Sequence, residues 1–144
     1  MLNGAKKYLR VIDANLNRAR EGLRVIEDTA RFVEDNAVAF TSIRAIRHAL
    51  EKITRGIYPE LLRHRDSLAD SGRVIKEGKR EGIKPLLSAN FRRVEESLRV
   101  LEEYGKIVSP SAAPKFKKLR FQTYILEKQF LVKDKAFLHP KKQA

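Results

Sequence analysis

Three features of this 144-residue sequence predict an all-α fold. Apolar residues recur at steps of three and four over long stretches, breaks containing Pro, Gly or Ser separate those stretches, and the whole pattern occurs twice. The expected architecture is an internally duplicated helix hairpin forming a four-helix bundle with a long middle loop. It occupies a single domain, 1–144, with repeat one at about 5–56, the loop at 57–85, repeat two at about 86–132 and a frayed tail at 133–144.

The first helix is marked by Leu9, Ile12, Leu16, Ala19, Leu23, Ile26, Ala30 and Val33, one seam of a helix roughly 37 Å long at about 1.5 Å per residue. Asp35-Asn36 supplies a stop and an N-cap. Phe40, Ile43, Ile46, Leu50 and Ile53 then carry a second helix toward Gly56. The periodicity weakens from Ile57, where Tyr58-Pro59, Arg65-Asp66-Ser67 and Asp70-Ser71-Gly72 predict a long connection with a short helix near Glu60 to Arg65. Loops above about 12 to 15 residues in a compact domain are often functional, so this one is a candidate lid. Helical spacing resumes at Leu87, Phe91, Val94, Leu98, Leu101, Gly105 and Val108, and breaks at Ser109-Pro110-Ser111. Pro114 opens a last helix with the seam Phe116, Leu119, Thr123, Leu126 and Phe130.

Composition narrows the function classes. Cysteine is absent, which excludes disulfides, thiolate catalysis and Cys-based metal centres. No stretch approaches the roughly 18 uncharged residues of a membrane span, and the start of the chain lacks the apolar core of a secretion signal, so a cytoplasmic protein is expected. A net charge of +13 favours anionic partners, either nucleic acid or phosphorylated small molecules. His48, His64 and His139 follow no metal-ligand spacing.

The duplication carries polar residues as well as apolar ones. At an offset of 75, residues 14–28 align with 89–103, and eight of the 15 pairs are identical where about one would match by chance. The second helices align at an offset of 76, matching Arg44 with Arg120 and Leu50-Glu51-Lys52 with Leu126-Glu127-Lys128. Asn15, Arg18, Gly22 and Val25 lie along one flank of the first seam, and Asn90, Arg93, Ser97 and Val100 along the equivalent flank. Gly22 costs about 1 kcal/mol relative to Ala inside a helix, so close approach of a backbone or a ligand is expected there. Glu27 and Glu102 sit on the opposite edge. A self-satisfied polar layer fixing helix register is the plainer alternative for Asn15, Arg18 and their partners, and surface pairing is the plainer one for Arg20 and Glu21.

The run from Arg10 through Asp28, together with Arg65-Asp66, Asp70 and Gly72, Ala89-Asn90 through Lys106, and Leu119-Arg120 with Tyr124 and Leu126-Glu127, resembles the small helical hydroxymethylpyrimidine-phosphate kinase family. That family occurs alone or fused ahead of thiamine-phosphate synthase. The resemblance implies an ATP-dependent phosphomethylpyrimidine kinase of thiamine biosynthesis. Its reaction would convert 4-amino-5-hydroxymethyl-2-methylpyrimidine phosphate to the diphosphate with ATP and Mg²⁺, in a stand-alone chain or an excised domain partnered with the synthase. Arg73 departs from the small hydroxyl residue expected after Gly72.

Phosphoryl transfer needs cationic charge around the phosphates and a carboxylate-held metal, and Arg supplies paired donors in a planar fork. Arg18, Arg93 and Arg65 are the candidate phosphate holders, with Asp66 and Asp70 as candidate Mg²⁺ ligands or, alternatively, turn-forming residues. Asn15, Asn90, Glu27 and Glu102 are candidates for the aminopyrimidine edge, and the repeated Arg24 and Arg99 complete the substrate-binding set. Neither common nucleotide-phosphate glycine loop is present. Two other readings stand beside this one. A basic nucleic-acid-binding module is disfavoured because acids interleave with the basic residues. A non-catalytic helical scaffold or homodimer domain associated with thiamine-phosphate synthase is the other.

Overall fold

The computed structural model describes residues 2–132, and the expected tail at 133–144, with His139, lies outside them. The chain is all-helical: α1 (Leu2–Asp28), α2 (Ala37–Thr54), α3 (Tyr58–Arg63), α4 (Ile83–Val108) and α5 (Ala113–Leu131). The apolar series of the sequence forms one core, in which Leu16, Leu23, Ile26, Ile43, Leu50, Leu61, Phe91, Leu98 and Leu101 are almost wholly buried. Among the described residues no helix is long and apolar enough to cross a membrane.

Val33 departs from the expected seam: it is 56% exposed. The last turn of α1 widens into a five-residue π-helix, Thr29–Val33. Each residue there turns the helix through a smaller angle, which carries Val33 off the apolar face. Asp35, at φ 48°, then reverses the chain, and the Asn36 amide donates to the Ala30 carbonyl. The Asn36 side chain accepts from the Ala39 amide as the N-cap of α2. The second hairpin turns at Ser109–Ala112 with no left-handed residue.

The contacts carry the duplication into three dimensions. The principal partners are α1 with α4, α1 with α2, α4 with α5, and α2 with α5. Exchanging α1 for α4 and α2 for α5 leaves that set unchanged, as a two-fold relation between hairpins requires. α1 and α4 run antiparallel, because Tyr8 meets Tyr104 with ring centroids 5.8 Å apart while Gly22 meets Asn90 and Val94. A Cβ on Gly22 would stand 2.8 Å from Val94 Cγ2 and 3.2 Å from the Asn90 carbonyl oxygen. Close approach of a backbone is therefore what the glycine permits.

The connection between hairpins is partly structured. α3 spans Tyr58–Arg63 and buries Leu61 against α1, and a 3-10 turn follows at Ser71–Val74. Gly82, at φ 114°, sets the chain into α4, which begins two residues before Pro85.

Candidate functional site

The α1–α4 crossing gathers the repeated Asn and Arg residues. Asn15 and Asn90 use their amides identically: each Nδ2 donates over 2.9 Å to the carbonyl four residues earlier, Val11 in one repeat and Leu86 in the other. The Asn15 oxygen is thereby turned outward and accepts from Arg18 Nη1 at 3.3 Å. Arg18 is exposed and Arg93 half-buried, and both stand on the wall between two grooves.

The first groove, about 540 Å³, is lined by Arg10, Arg18, Arg65 and Arg93 but also by Asp13, Glu21, Asp66 and Asp70. Its four cations meet four acids. The second, about 570 Å³, presents Arg18, Arg80, Arg92 and Arg93 against Glu96 alone, with Asn15 and Ser97 beside them. Both volumes suit a small organic ligand. Excess charge decides between them: the second groove is the anion-attracting one. Among the described residues none of its four guanidiniums is in an ion pair; Arg92 donates to Ser88 Oγ and Arg80 to the Lys79 carbonyl.

Arg65 is not left open for a phosphate. Its Nε and Nη2 grip both oxygens of Asp13, at 2.8 and 2.7 Å, in the two-pronged geometry that favours Arg over Lys. Asp13 is 4% exposed on α1, so this pair ties the middle connection to the first helix. Sequence reasoning missed Asp13. The signal was its place four residues after Leu9 and three before Leu16, where a carboxylate inside an apolar stripe requires a partner. It also missed Arg80 and Arg92, which only the fold brings beside Arg18.

Asp66 and Asp70 both line the first groove, and each turns one oxygen to the backbone: Asp66 Oδ1 accepts from the Ala69 amide and Asp70 Oδ1 from the Gly72 amide. Among the described residues no three His, Cys, Asp or Glu side chains are grouped to hold a metal ion. Arg73 donates to the Leu68 carbonyl within the same loop.

Glu27 and Glu102 stand away from both grooves, buried between the two helices of their hairpins. Glu27 takes Arg47 Nε at 2.6 Å and Nη2 at 3.1 Å, with Arg24 at 3.4 Å. Burial raises the Glu27 pKa, but the Arg47 hydrogen bonds and charge outweigh it and leave the carboxyl below its ordinary 4.5. Glu102 takes Arg120 Nε and Nη2 at 3.2 and 2.9 Å. The offset that aligns the second helices matches Arg120 with Arg44, yet Glu27 is held by Arg47, one turn further along. Arg24 and Arg99 are exposed on the outer surface, apart from the Asn–Arg flanks.

The chain is similar to proteins named thiamine-phosphate synthase. It is 45% identical over 125 residues to the one from Nostoc punctiforme, covering 85% of this chain and 35% of that protein. It is 42% identical over 121 residues to one from a second Nostoc species, covering 82% and 34%, and 42% identical over 125 residues to one from a Synechocystis species, covering 85% and 36%. The chain thus spans about a third of the length of these curated relatives. No solved structure matches it. These relatives correct the expected ATP-dependent phosphomethylpyrimidine kinase, since they align with most of the chain and bear the name of a synthase, not of a kinase. The family match extends over residues 10–129, through both copies of the repeat and the connection between them, and the chain belongs to the ThiD2 family.

Proposed function

We propose that this chain is a non-catalytic, phosphate-binding helical domain of thiamine biosynthesis, working beside a thiamine-phosphate synthase and holding a phosphorylated pyrimidine for it. One observation carries the reading: the second groove sets four guanidiniums, Arg18, Arg80, Arg92 and Arg93, against one carboxylate, with none of the four in an ion pair among the described residues. Arg65 and Asp13 give the contrast, because a guanidinium already matched to a carboxylate brings no net charge to a ligand. The relatives' name supplies the pathway, and the groove supplies the chemical class of what is bound.

A phosphate monoester with its second pKa near 6 is largely a dianion at neutral pH, and a planar guanidinium fork meets two of its oxygens at once. Asn15 fixes Arg18 in place, which lowers the entropy lost on binding. Calorimetric titration with 4-amino-5-hydroxymethyl-2-methylpyrimidine phosphate and with its unphosphorylated alcohol tests the reading. The monophosphate is expected to bind at least tenfold tighter, and Arg92→Ala to weaken it without altering the fold. Equal affinity for the two compounds, or no binding of either, overturns it.

A further inference from the structure

The two hairpins part company at one matched pair. Arg20 of α1 and Glu51 of α2 face each other at 4.0 Å, and the repeat offsets of 75 and 76 place Glu95 of α4 and Glu127 of α5 at the corresponding positions. The cation of the first hairpin is a second carboxyl in the second. Exposure differs as well: the Arg20 side chain is 38% accessible, whereas Glu95 is 6% exposed and its Oε2 is sealed with no hydrogen-bond partner.

We infer that Glu95 keeps its proton at neutral pH and, set opposite Glu127 of α5, acts as a pH-sensitive latch between α4 and α5, closed while Glu95 holds the proton and loosened when it ionises. A carboxylate enclosed this far from water needs a positive partner or must stay neutral. The proton is the cation that reaches a sealed oxygen, and among the described residues no third ligand group is present to bring a metal ion there. The groups acting most strongly on Glu95 are Glu127 across from it on α5 and, on its own helix, Glu96 and Arg92, and of these Arg92 alone favours ionisation. Burial first, and then Glu127, push the Glu95 carboxyl up to about 8. Glu95 lies between the groove-lining residues Arg93 and Glu96, so loosening α4 here reaches the cationic groove.

The sign follows from linkage. A carboxyl near 8 when folded and near 4.5 when unfolded keeps a proton in the folded state that the unfolded chain has released. Its contribution is fully present below the unfolded value and is lost as pH rises toward 8. Urea denaturation of the whole chain from pH 5 to 9 reads this out. Relative to Glu95→Gln, the unfolding constant of the unsubstituted protein should rise by up to about tenfold per pH unit until the folded carboxyl ionises. Glu95→Arg, which restores the pairing of the first hairpin, should flatten the profile as Gln does. The ¹³C carboxyl shift of Glu95 in the unsubstituted protein should titrate far above an ordinary glutamate. Parallel pH profiles for the unsubstituted and Gln proteins, or a Glu95 midpoint near 4.5, would overturn the latch.

Discussion

The first hairpin holds its two helices with a chain of charges, the second with a closed pair. In the first, Glu27 takes Arg47 and Arg24, Arg47 reaches Glu51 at 3.5 Å, and Glu51 faces Arg20, so Glu27, Arg47 and Glu51 each have more than one neighbour of opposite charge. In the second, Glu102 and Arg120 are each 8% exposed at the side chain, and Arg120 is completed by the Tyr124 hydroxyl. Position 47 becomes Thr123, which is fully buried and bonded to the Leu119 carbonyl. The duplicated scaffold has therefore kept its acid at 27 and 102 and moved the cation that answers it by one turn. One fold can satisfy the same buried carboxylate in two ways, and the cost of breaking each should differ.

The largest effect belongs to the closed pair. Glu102→Ala leaves Arg120 buried without its carboxylate, and the loss of one partner from such a pair costs about 3–5 kcal/mol. Glu27→Ala should cost less, about 2 kcal/mol, because Arg47 retains Glu51 and is 13% exposed at the side chain. Chemical denaturation of the two variants side by side measures the difference, and equal losses would erase the distinction drawn between the hairpins. The acid limb sharpens it further. Glu27 titrates below 4.5 when folded, so its stabilisation is present above the unfolded value and fades as pH falls through the folded one. Glu27→Gln should remove that part of the acid-induced loss of stability, as followed by circular dichroism at pH 2 to 6.

Next in size is the helix crossing. Gly22→Ala drives a methyl into Val94 and against the Asn90 carbonyl, an overpacking cost of about 1–3 kcal/mol that the better helix propensity of Ala only partly offsets. Ser97, the matched residue in the other repeat, already carries a side chain and bonds to the Arg93 carbonyl. Ser97→Ala is therefore expected to cost under about 1.5 kcal/mol. Adding Val94→Ala to Gly22→Ala should recover part of the loss in a double-mutant cycle.

The smallest expected effect lies in the two turns. Asp35 adopts a left-handed backbone, and the Ser109–Ala112 turn has no such residue. Asp35→Gly should raise stability by a few tenths of a kcal/mol through relief of that conformation, read as a shift in the thermal midpoint.

The long helices, the Asn36 cap and the duplication were legible in the sequence because each depends on spacing along one helix, which periodicity reports directly. Val33 was not, since the π-turn that displaces it is settled by how the chain leaves α1 for α2. The Arg65–Asp13 pair joins residues 52 apart, and no local pattern specifies the partner of a loop guanidinium. The same holds for Glu27, whose aligned partner Arg44 is passed over for Arg47. Gly22 was the reverse case: its cost inside a helix announced a close approach, and the Asn90 carbonyl supplies it. Of the groove-lining residues, Asn15, Arg18 and Arg93 could be picked out in advance, whereas Asn90, singled out with them, lines neither groove. Arg80 and Arg92 could not, because their convergence depends on where Gly82 aims the start of α4.

Arg18 and Arg93 come from different copies of the repeat, and in the proposed function both serve one anion. Titrating the phosphorylated pyrimidine into Arg18→Ala, Arg93→Ala and the double variant tests this directly. Each single change is predicted to weaken binding by at least tenfold while the urea midpoint stays put, and the double change to lose less than the sum of the two. Unchanged affinity in either single variant, with the protein folded, would contradict it.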